Sequence, residues 1–247
     1  MNHAKKYLKY LLVVTSVSCT VPSVNAAVAL DRTRAVFNGN GKSISLNISN
    51  DNQKVPYLAQ AWLEDAQEKK ITTGPLVVTP PVQRLEPGAK SMVRVMAPGA
   101  AGLPQDRETL FYFNLREIPP KSKKENVLQI ALQTRIKLFY RPASIVQGPD
   151  AVWQDRLILH AEQGGYRIEN PTPYFITVIG LGGTALQAEN GRFDVVMVSP
   201  KSSISVKSGT WNTPYLTYIN DYGGRPTLRF ACNGSRCEAK GEVKSKS

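Results

Sequence analysis

Short stretches of alternating apolar and polar residues recur along most of this chain. In the clearest of them, residues 42–49 read KSISLNIS, and Ile44, Leu46 and Ile48 fall on one face. A two-residue period of this kind is typical of a strand with one buried face, and nowhere does a helical apolar stripe persist for three turns. The pattern therefore predicts an all-β protein. Further predicted strands lie at 58–64, 91–96, 109–115, 156–160, 165–169, 174–179, 192–198, 202–206, 215–219 and 226–232.

The number of predicted strands indicates two domains. Turn-forming pairs such as Asn38-Gly39 and Gly223-Gly224 separate the strands. About fourteen strands are too many for one seven-stranded sandwich and suit two Ig-like β-sandwich domains. The pattern is interrupted after Tyr140 by prolines at positions 142 and 149. We therefore predict an N-terminal domain over 27–145 and a C-terminal domain over 146–247, each of an ordinary domain size of about 100 residues.

One predicted strand is much longer than the others. Residues 126–140 read NVLQIALQTRIKLFY, contain no Gly or Pro, and keep the two-residue period for about thirteen residues. Such a strand would extend about 40 Å, whereas typical strands have five or six residues. Two interpretations remain open: a long bent strand satisfied within its own fold, or an edge strand that offers Leu128, Ile130 and Leu132 to a partner. An exposed hydrophobic edge aggregates unless something covers it, so the second interpretation makes this strand a candidate for β-strand addition.

The first residues have the features of an export signal. Lys5, Lys6 and Lys9 precede an apolar stretch over 10–17, and residues 24–26 read VNA, the small-x-small pattern that signal peptidase recognises. This predicts a signal peptide over 1–26. Its removal takes away three lysines and no acid, so the formal charge falls from +12 to +9. No apolar run reaches the roughly 18 residues that a membrane-spanning helix needs.

Two cysteines remain after the predicted cleavage. Cys232 and Cys237 bracket the turn residues NGSR, and His160 is the only histidine in the mature chain. In an oxidising compartment, such a pair is typical of a local disulfide that closes a hairpin. Zinc is the alternative, but a structural zinc site needs four ligands. We expect the disulfide, and neither a metal site nor a cofactor.

The chain has no recognisable catalytic constellation. It contains no G-x-S-x-G, phosphate-binding loop, zinc-protease or EF-hand motif. Asp106 and Glu108 are predicted to form ion pairs because Arg107 and Arg116 are close in sequence. The basic residues are scattered, apart from a cluster at 121–124, and no RNA-binding aromatic motif accompanies them. We therefore expect neither an enzyme nor a protein that binds nucleic acid or a small-molecule substrate.

Several segments together resemble the periplasmic pilus chaperones, over essentially the whole mature chain. They are LDRTRAVF at 30–37, NDN at 50–52, PYLAQAW at 56–62, TPPVQRLEPG at 79–88, LPQDRE at 103–108, FYFNLREIPP at 111–120, IKLFYRP at 136–142 and GYRIENPTP at 165–173. The resemblance implies two Ig-like domains arranged as an L around a cleft. It also implies a periplasmic chaperone that caps pilus subunits by donor-strand complementation and delivers them to an outer-membrane usher.

The resemblance also assigns roles to particular residues. Arg34 and Lys137 would anchor the C-terminal carboxylate of a pilin in the cleft. Two cations about 5 Å apart repel by roughly 3 kcal/mol at an effective dielectric constant of 20, and a carboxylate between them replaces that repulsion with attraction. Leu128, Ile130 and Leu132 would fill the groove of a pilin that lacks its final strand. The interdomain ion pairs of the family would correspond to Glu108, Arg141 and Asp221.

The implied partners are pilins and adhesin subunits and the usher. Self-association of the free chaperone through its exposed edge is left open by the sequence. The cognate subunits and the usher are not identified by the sequence. An alternative from another class is a secreted two-domain module for adhesion or ligand binding, which would bind a carbohydrate or a host surface without any pilin.

Overall fold

The N-terminal half of the chain folds as two packed β-sheets. The computed structural model describes residues 26–149 and 151–243, so the predicted signal peptide lies outside the described residues except for Ala26. One sheet has the strand order β1-β3-β8-β6, and the other has the order β2-β10-β9-β4-β5, with β7 paired to β4. The strands are β1 Val28–Leu30, β2 Arg34–Asn38, β3 Ser43–Asn50, β4 Tyr57–Glu64, β5 Lys70–Ile71, β6 Val77–Thr79, β7 Val82–Leu85, β8 Lys90–Met96, β9 Thr109–Ile118 and β10 Gln133–Arg141.

The alternating pattern of the sequence sets which side chains lie between these sheets. In β3, Leu46 and Ile48 are buried, whereas Ser45 and Asn47, which alternate with them, are exposed to solvent. Phe113 of β9 and Leu138 of β10 are fully buried in the same core from the opposite sheet. Fully burying a Leu or Phe side chain contributes about 1.5–3 kcal/mol, so the two apolar faces hold the sandwich together.

The C-terminal half is built from one continuous ladder that curls around a second core. Its strand order is β14-β13-β16-β17-β18-β11-β12-β15, and β12 near one end of the ladder contacts β14 at the other end. The elements are β11 Ile158–Glu162, β12 Gly165–Asn170, β13 Ile176–Gly182, α1 Ala185–Asn190, β14 Val196–Val198, β15 Ser202–Lys207, β16 Tyr215–Ile219, β17 Thr227–Asn233 and β18 Arg236–Glu242.

The short helix α1 differs from the sequence-based prediction. The predicted strand over 192–198 is a strand only over its last three residues. The side chain of Thr184 accepts a hydrogen bond from the Gln187 N–H and caps α1, a common way of starting a helix. The helix packs so closely on β13 that a Cβ at Gly180 would lie 1.6 Å from the carbonyl oxygen of Ala188.

The strand predicted over 126–140 is too long. Strand β10 begins only at Gln133. In the described part of the chain, residues 126–131 pair with no strand, and Leu132 is hydrogen-bonded only to Glu117 of β9. The neighbouring strand β9 ends at Ile118, directly before Pro119 and Pro120. Because proline has no N–H group to donate and leads the chain away from the sheet, the partner for a longer ladder is missing.

The two halves have separate buried cores. The first core includes residues from Val28 to Tyr140, and the second includes residues from Trp153 to Cys237. The predicted boundary between 145 and 146 falls in the segment that joins them and stays a prediction. Within the described residues, no helix is long and apolar enough to span a membrane.

Candidate functional site

Arg34 and Lys137 are brought together by a parallel pairing of two strands. Strand β2 pairs with β10 in a register that sets Arg34 opposite Lys137. Side chains opposite each other in a ladder lie on the same face of the sheet. This face is turned towards the second domain, because Phe139, two residues beyond Lys137, stacks on Phe175 with ring centroids 5.5 Å apart. The two cations therefore lie side by side where the domains meet.

Neither of these cations has an ion-pair partner among the described residues. Arg34 donates hydrogen bonds from Nη1 to the carbonyl oxygens of Ile219 and Asn220, at 3.1 and 3.2 Å. Asp31, the acid nearest to Arg34 in the sequence, instead pairs with Arg32 at 2.8 Å. Burial lowers the pKa of Arg34. Burial and the positive charge of Arg34 both lower the pKa of Lys137, so an anion placed here would relieve an existing electrostatic cost.

A cleft of about 350 Å³ opens beside Arg34 between the two domains. Its lining includes Arg34 and Arg141 from the first domain and Trp153, Asp221 and Tyr222 from the second. The lining is polar: it contains the Arg34 guanidinium and the largely exposed Tyr222 ring, whereas the Arg141 guanidinium is already paired with two acids. These are groups suited to a charged chain terminus rather than to an apolar small molecule.

Glu108, Arg141 and Asp221 form one ion-pair network across the domain interface. Arg141 lies 2.7 Å from Glu108 Oε1 and 2.8 Å from Asp221 Oδ2. Its guanidinium also stacks over the rings of Trp153 and Tyr174, 4.7 and 4.9 Å from their centroids. Arg141 therefore connects an acid of the first domain to an acid of the second through ion pairs.

The carboxylate of Glu108 is almost completely buried. It accepts a hydrogen bond from the Phe175 N–H at 2.8 Å, so the second domain contributes directly to its environment. Burial raises the pKa of Glu108 to about 7, and Arg141 and the Phe175 N–H oppose that rise. Burial also pulls the pKa of Arg141 down, but Glu108 and Asp221 outweigh it, and the net pKa is raised.

The three predicted groove-filling residues precede the cation pair along the same chain. Leu128 is 87% exposed and Ile130 is 68% exposed, whereas Leu132 is half-buried. From Gln133 to Ile136, β10 pairs with β9 on one side, and β2 covers its other side only from Lys137 onwards. Within the described residues, an exposed apolar segment thus leads into a free strand edge, which runs from Gln133 to the cations at Lys137, about 13 Å further on.

Sequence reasoning missed two contacts around this site. Asp106 pairs with its neighbour Arg107, as predicted, but it also pairs across the interface with Lys201 at 2.6 Å. Glu117 is buried and binds the backbone at Val28 and Leu132. A signal for Glu117 exists in the sequence, because it continues the apolar row of Phe111, Phe113 and Leu115 at a position where the pattern demands an apolar residue.

The cysteine prediction is confirmed. Cys232 and Cys237 are disulfide-bonded and lie opposite each other in the β17–β18 hairpin. These sulfurs are therefore not available as zinc ligands. The described residues contain no group of three or more His, Cys, Asp or Glu side chains that could hold a metal ion.

Two β-sandwich domains joined around a basic cleft, with an apolar segment exposed beside it, define a class of two-domain Ig-like binding proteins. Residues 27–146 match the family model described as the pili and flagellar-assembly chaperone, PapD N-terminal domain, and residues 152–230 match the pili assembly chaperone PapD, C-terminal domain. The chain belongs to this family of pilus chaperones.

Individual relatives agree with this assignment. The chaperone protein PapD of Escherichia coli is 67% identical over 223 residues, which cover 90% of this chain and 93% of PapD. The crystal structure of the periplasmic chaperone SfaE is similar with a TM-score of 0.65 and 30% identity, over 80% of this chain and 95% of SfaE. The chaperone–pilin complex of SafB and SafA from Salmonella enterica contains a chain with a TM-score of 0.71 at 23% identity, over 85% of this chain and 98% of that chain, and so supports the fold.

Proposed function

We propose that this chain is a periplasmic chaperone that caps pilus subunits by lending them a strand and then delivers them to an outer-membrane usher. The observation that carries the proposal is the pair Arg34 and Lys137, two half-buried cations without an ion-pair partner in the described residues, at the end of a free strand edge. The predicted export signal and the name of the periplasmic relative SfaE support the location.

The cation pair is suited to holding the C-terminal carboxylate of a subunit. Arg34 uses Nη1 to donate hydrogen bonds to two backbone carbonyl oxygens, and its other N–H groups can bind an anion. Hydrogen bonds between a carboxylate and a guanidinium or ammonium group are among the strongest in proteins. A carboxylate at this end of the strand also fixes the register of whatever lies along β10, because a slip of one residue would turn the glutamines towards the subunit.

The exposed segment is suited to completing an unfinished subunit. Leu128, Ile130 and Leu132 alternate along one face, and a β-sandwich that lacks a strand has a groove for such a row. At about 1.5–3 kcal/mol for each fully buried aliphatic side chain, three of them supply roughly 5–9 kcal/mol before ordering costs are subtracted. This process needs neither a cofactor nor catalysis, and we propose that the chain is not an enzyme.

The anchor is tested by co-producing the chain with a pilin in the periplasm of Escherichia coli and measuring how much pilin co-purifies. Arg34→Ala and Lys137→Ala should abolish recovery of the complex while the chaperone stays folded by circular dichroism. The matched control is Lys42→Ala, an exposed lysine away from the cleft, which should leave recovery unchanged. Full recovery with either anchor variant would show that the anchor assignment is wrong.

Delivery is tested separately, since capping and delivery can fail independently. A purified complex of the chain and a pilin should bind an isolated outer-membrane usher and release the pilin to it. A complex that binds no usher would limit the proposal to capping.

A further inference from the structure

Glu117 is an acid in the core row of strand β9. Phe113 and Leu115 precede it on the same buried face, and Glu117 itself is only 6% exposed. Burying a carboxylate destabilises the folded state unless hydrogen bonds compensate for the lost hydration. Among the described residues, no Lys, Arg or His lies within ion-pair distance of Glu117, so its backbone contacts must satisfy it.

Those contacts join two segments that are far apart in the sequence. Oε2 accepts a hydrogen bond from the Val28 N–H at 2.9 Å, and Oε1 accepts one from the Leu132 N–H at 3.4 Å. The backbone N–H of Glu117 in turn donates to the Leu132 carbonyl oxygen at 3.0 Å. Glu117 therefore hydrogen-bonds to both the N–H and the carbonyl oxygen of Leu132, and also to the N–H of Val28, the first residue of β1.

The two segments that Glu117 joins are both at free edges. Strand β1 is the outermost strand of one sheet, and the first residues of β10 form an edge of the other sheet. The side chain of Glu117 thus bridges the sandwich at the point where these edges meet. Exposure rises along the chain away from it, from the half-buried Leu132 to Ile130 at 68% and Leu128 at 87%.

We infer that Glu117 is a positioning residue that holds Leu132 in place beside β1 and so sets the register in which Leu128 and Ile130 are presented to a subunit. This inference rests on the proposed function. Without the contact, Leu132 would keep only the hydrogen bond through its carbonyl oxygen, and the strand edge would lose its fixed starting point. A subunit carboxylate at Arg34 and Lys137 would fix one end of the free strand edge, and Glu117 fixes the edge's other end at Leu132, where the exposed segment with Leu128 and Ile130 joins it.

Amide hydrogen exchange of the free chain is the first test, because it needs no ligand. Glu117→Ala removes both side-chain acceptors, and Glu117→Gln keeps one of them with nearly the same shape. In the alanine variant, we expect exchange at both the Leu132 and the Val28 amide to be at least tenfold faster than in wild type. In the glutamine variant, we expect such an increase at only one of these two amides. The glutamine variant carries the test if the alanine variant does not fold.

A matched control separates positioning from general stability. Asn50 is a buried polar residue in the same domain that holds three backbone carbonyls, at Val55, Leu85 and Glu86. Asn50→Ala should lower the domain's stability without a selective increase in exchange at Leu132. Unchanged Leu132 exchange in a folded Glu117 variant, or the same increase in Asn50→Ala, would overturn the inference.

Binding supplies the functional readout, with a pilin co-produced in Escherichia coli as the probe. The complex formed by Glu117→Gln should release the pilin about tenfold faster than wild type, and Asn50→Ala should not accelerate release. If Leu128→Asp and Ile130→Asp also retain the pilin normally, the proposed function itself fails. If those two variants lose the pilin while Glu117→Gln releases it at the wild-type rate, the inference about Glu117 alone fails.

Discussion

Lys137 lies directly opposite Arg34 in the parallel pairing of β10 with β2, so two residues distant in the sequence present their cations side by side. The sheet keeps the two cations from moving apart despite their repulsion, because the ladder continues through four further residue pairs from Leu138 to Arg141. The backbone hydrogen bonds of that ladder hold the pair in place before any ligand arrives. Such preorganisation lowers the cost of binding an anion.

The lowered pKa of Lys137 predicts a pH dependence of subunit binding. The free folded chain gives up this proton at a lower pH than an unfolded lysine with its ordinary pKa of 10.5. A bound carboxylate stabilises the ammonium form, so binding takes up a proton when the pH approaches the lowered pKa. Affinity for a peptide with the C-terminal sequence of a pilin should therefore fall as the pH rises from 7 to 10. Isothermal calorimetry in buffers of different ionisation enthalpy measures the proton uptake directly.

The control for this pH dependence is Lys137→Arg, since arginine keeps its charge throughout the range. The variant should bind with an affinity that is nearly constant from pH 7 to 10. If wild type and variant showed the same pH profile, Lys137 would not be the titrating group.

A charge on the exposed segment should weaken binding without weakening the fold. Leu128 is 87% exposed, so Leu128→Asp removes no buried contact and should change the free energy of unfolding by less than about 0.5 kcal/mol. Leu138, on the continuation of the same strand, is fully buried, and Leu138→Ala should cost about 2–5 kcal/mol. Urea unfolding and pilin co-purification measure the two effects. A loss of stability in Leu128→Asp as large as that in Leu138→Ala would favour a strand satisfied within its own fold.

Removing Arg141 should loosen the interdomain interface. Arg141→Ala leaves the buried Glu108 without its cation, and breaking a buried pair in this way costs about 3–5 kcal/mol. The pKa of Glu108, already raised to about 7 by burial, should rise further. A raised pKa in the folded state means that stability decreases as the pH rises above the unfolded value, so the variant should be more stable at pH 5.5 than at pH 8.

Urea unfolding of Arg141→Ala at these two pH values checks the prediction. Asp106→Asn is the control, because Asp106 and its partners Arg107 and Lys201 are exposed and such pairs contribute little. A loss in Arg141→Ala no larger than in Asp106→Asn would contradict an energetic role for the network.

The disulfide is expected to make a modest contribution to stability. Cys232 and Cys237 close a loop of only six residues, for which the chain-entropy estimate is about 2 kcal/mol. Cys232→Ser should therefore lower the free energy of unfolding by roughly that amount while pilin binding is retained, because the hairpin lies outside the cleft. Loss of pilin binding in a folded Cys232→Ser variant would show that the hairpin takes part in recognition.

The sequence determined the parts of this protein that depend on local pattern. Alternation at residues such as Ile44, Leu46 and Ile48 predicts which side chains face the core, because successive side chains of a strand point to opposite faces. The spacing of Cys232 and Cys237 around a turn was enough to predict their bond. The chain motifs also identified the family, since they cover both domains.

Only the tertiary structure decided where β10 begins and what satisfies the buried charges. Leu128, Ile130 and Leu132 continue the alternation of β10, but a strand also needs a neighbour with free N–H and C=O groups, and β9 reaches no further than Leu132 before Pro119 and Pro120 follow. Asp31 was the nearest acid to Arg34 in sequence, yet Arg34 donates instead to the carbonyl oxygens of Ile219 and Asn220 at the end of β16. Backbone pairing and charge pairing are contacts between distant segments, and their partners are fixed only when the whole chain has folded.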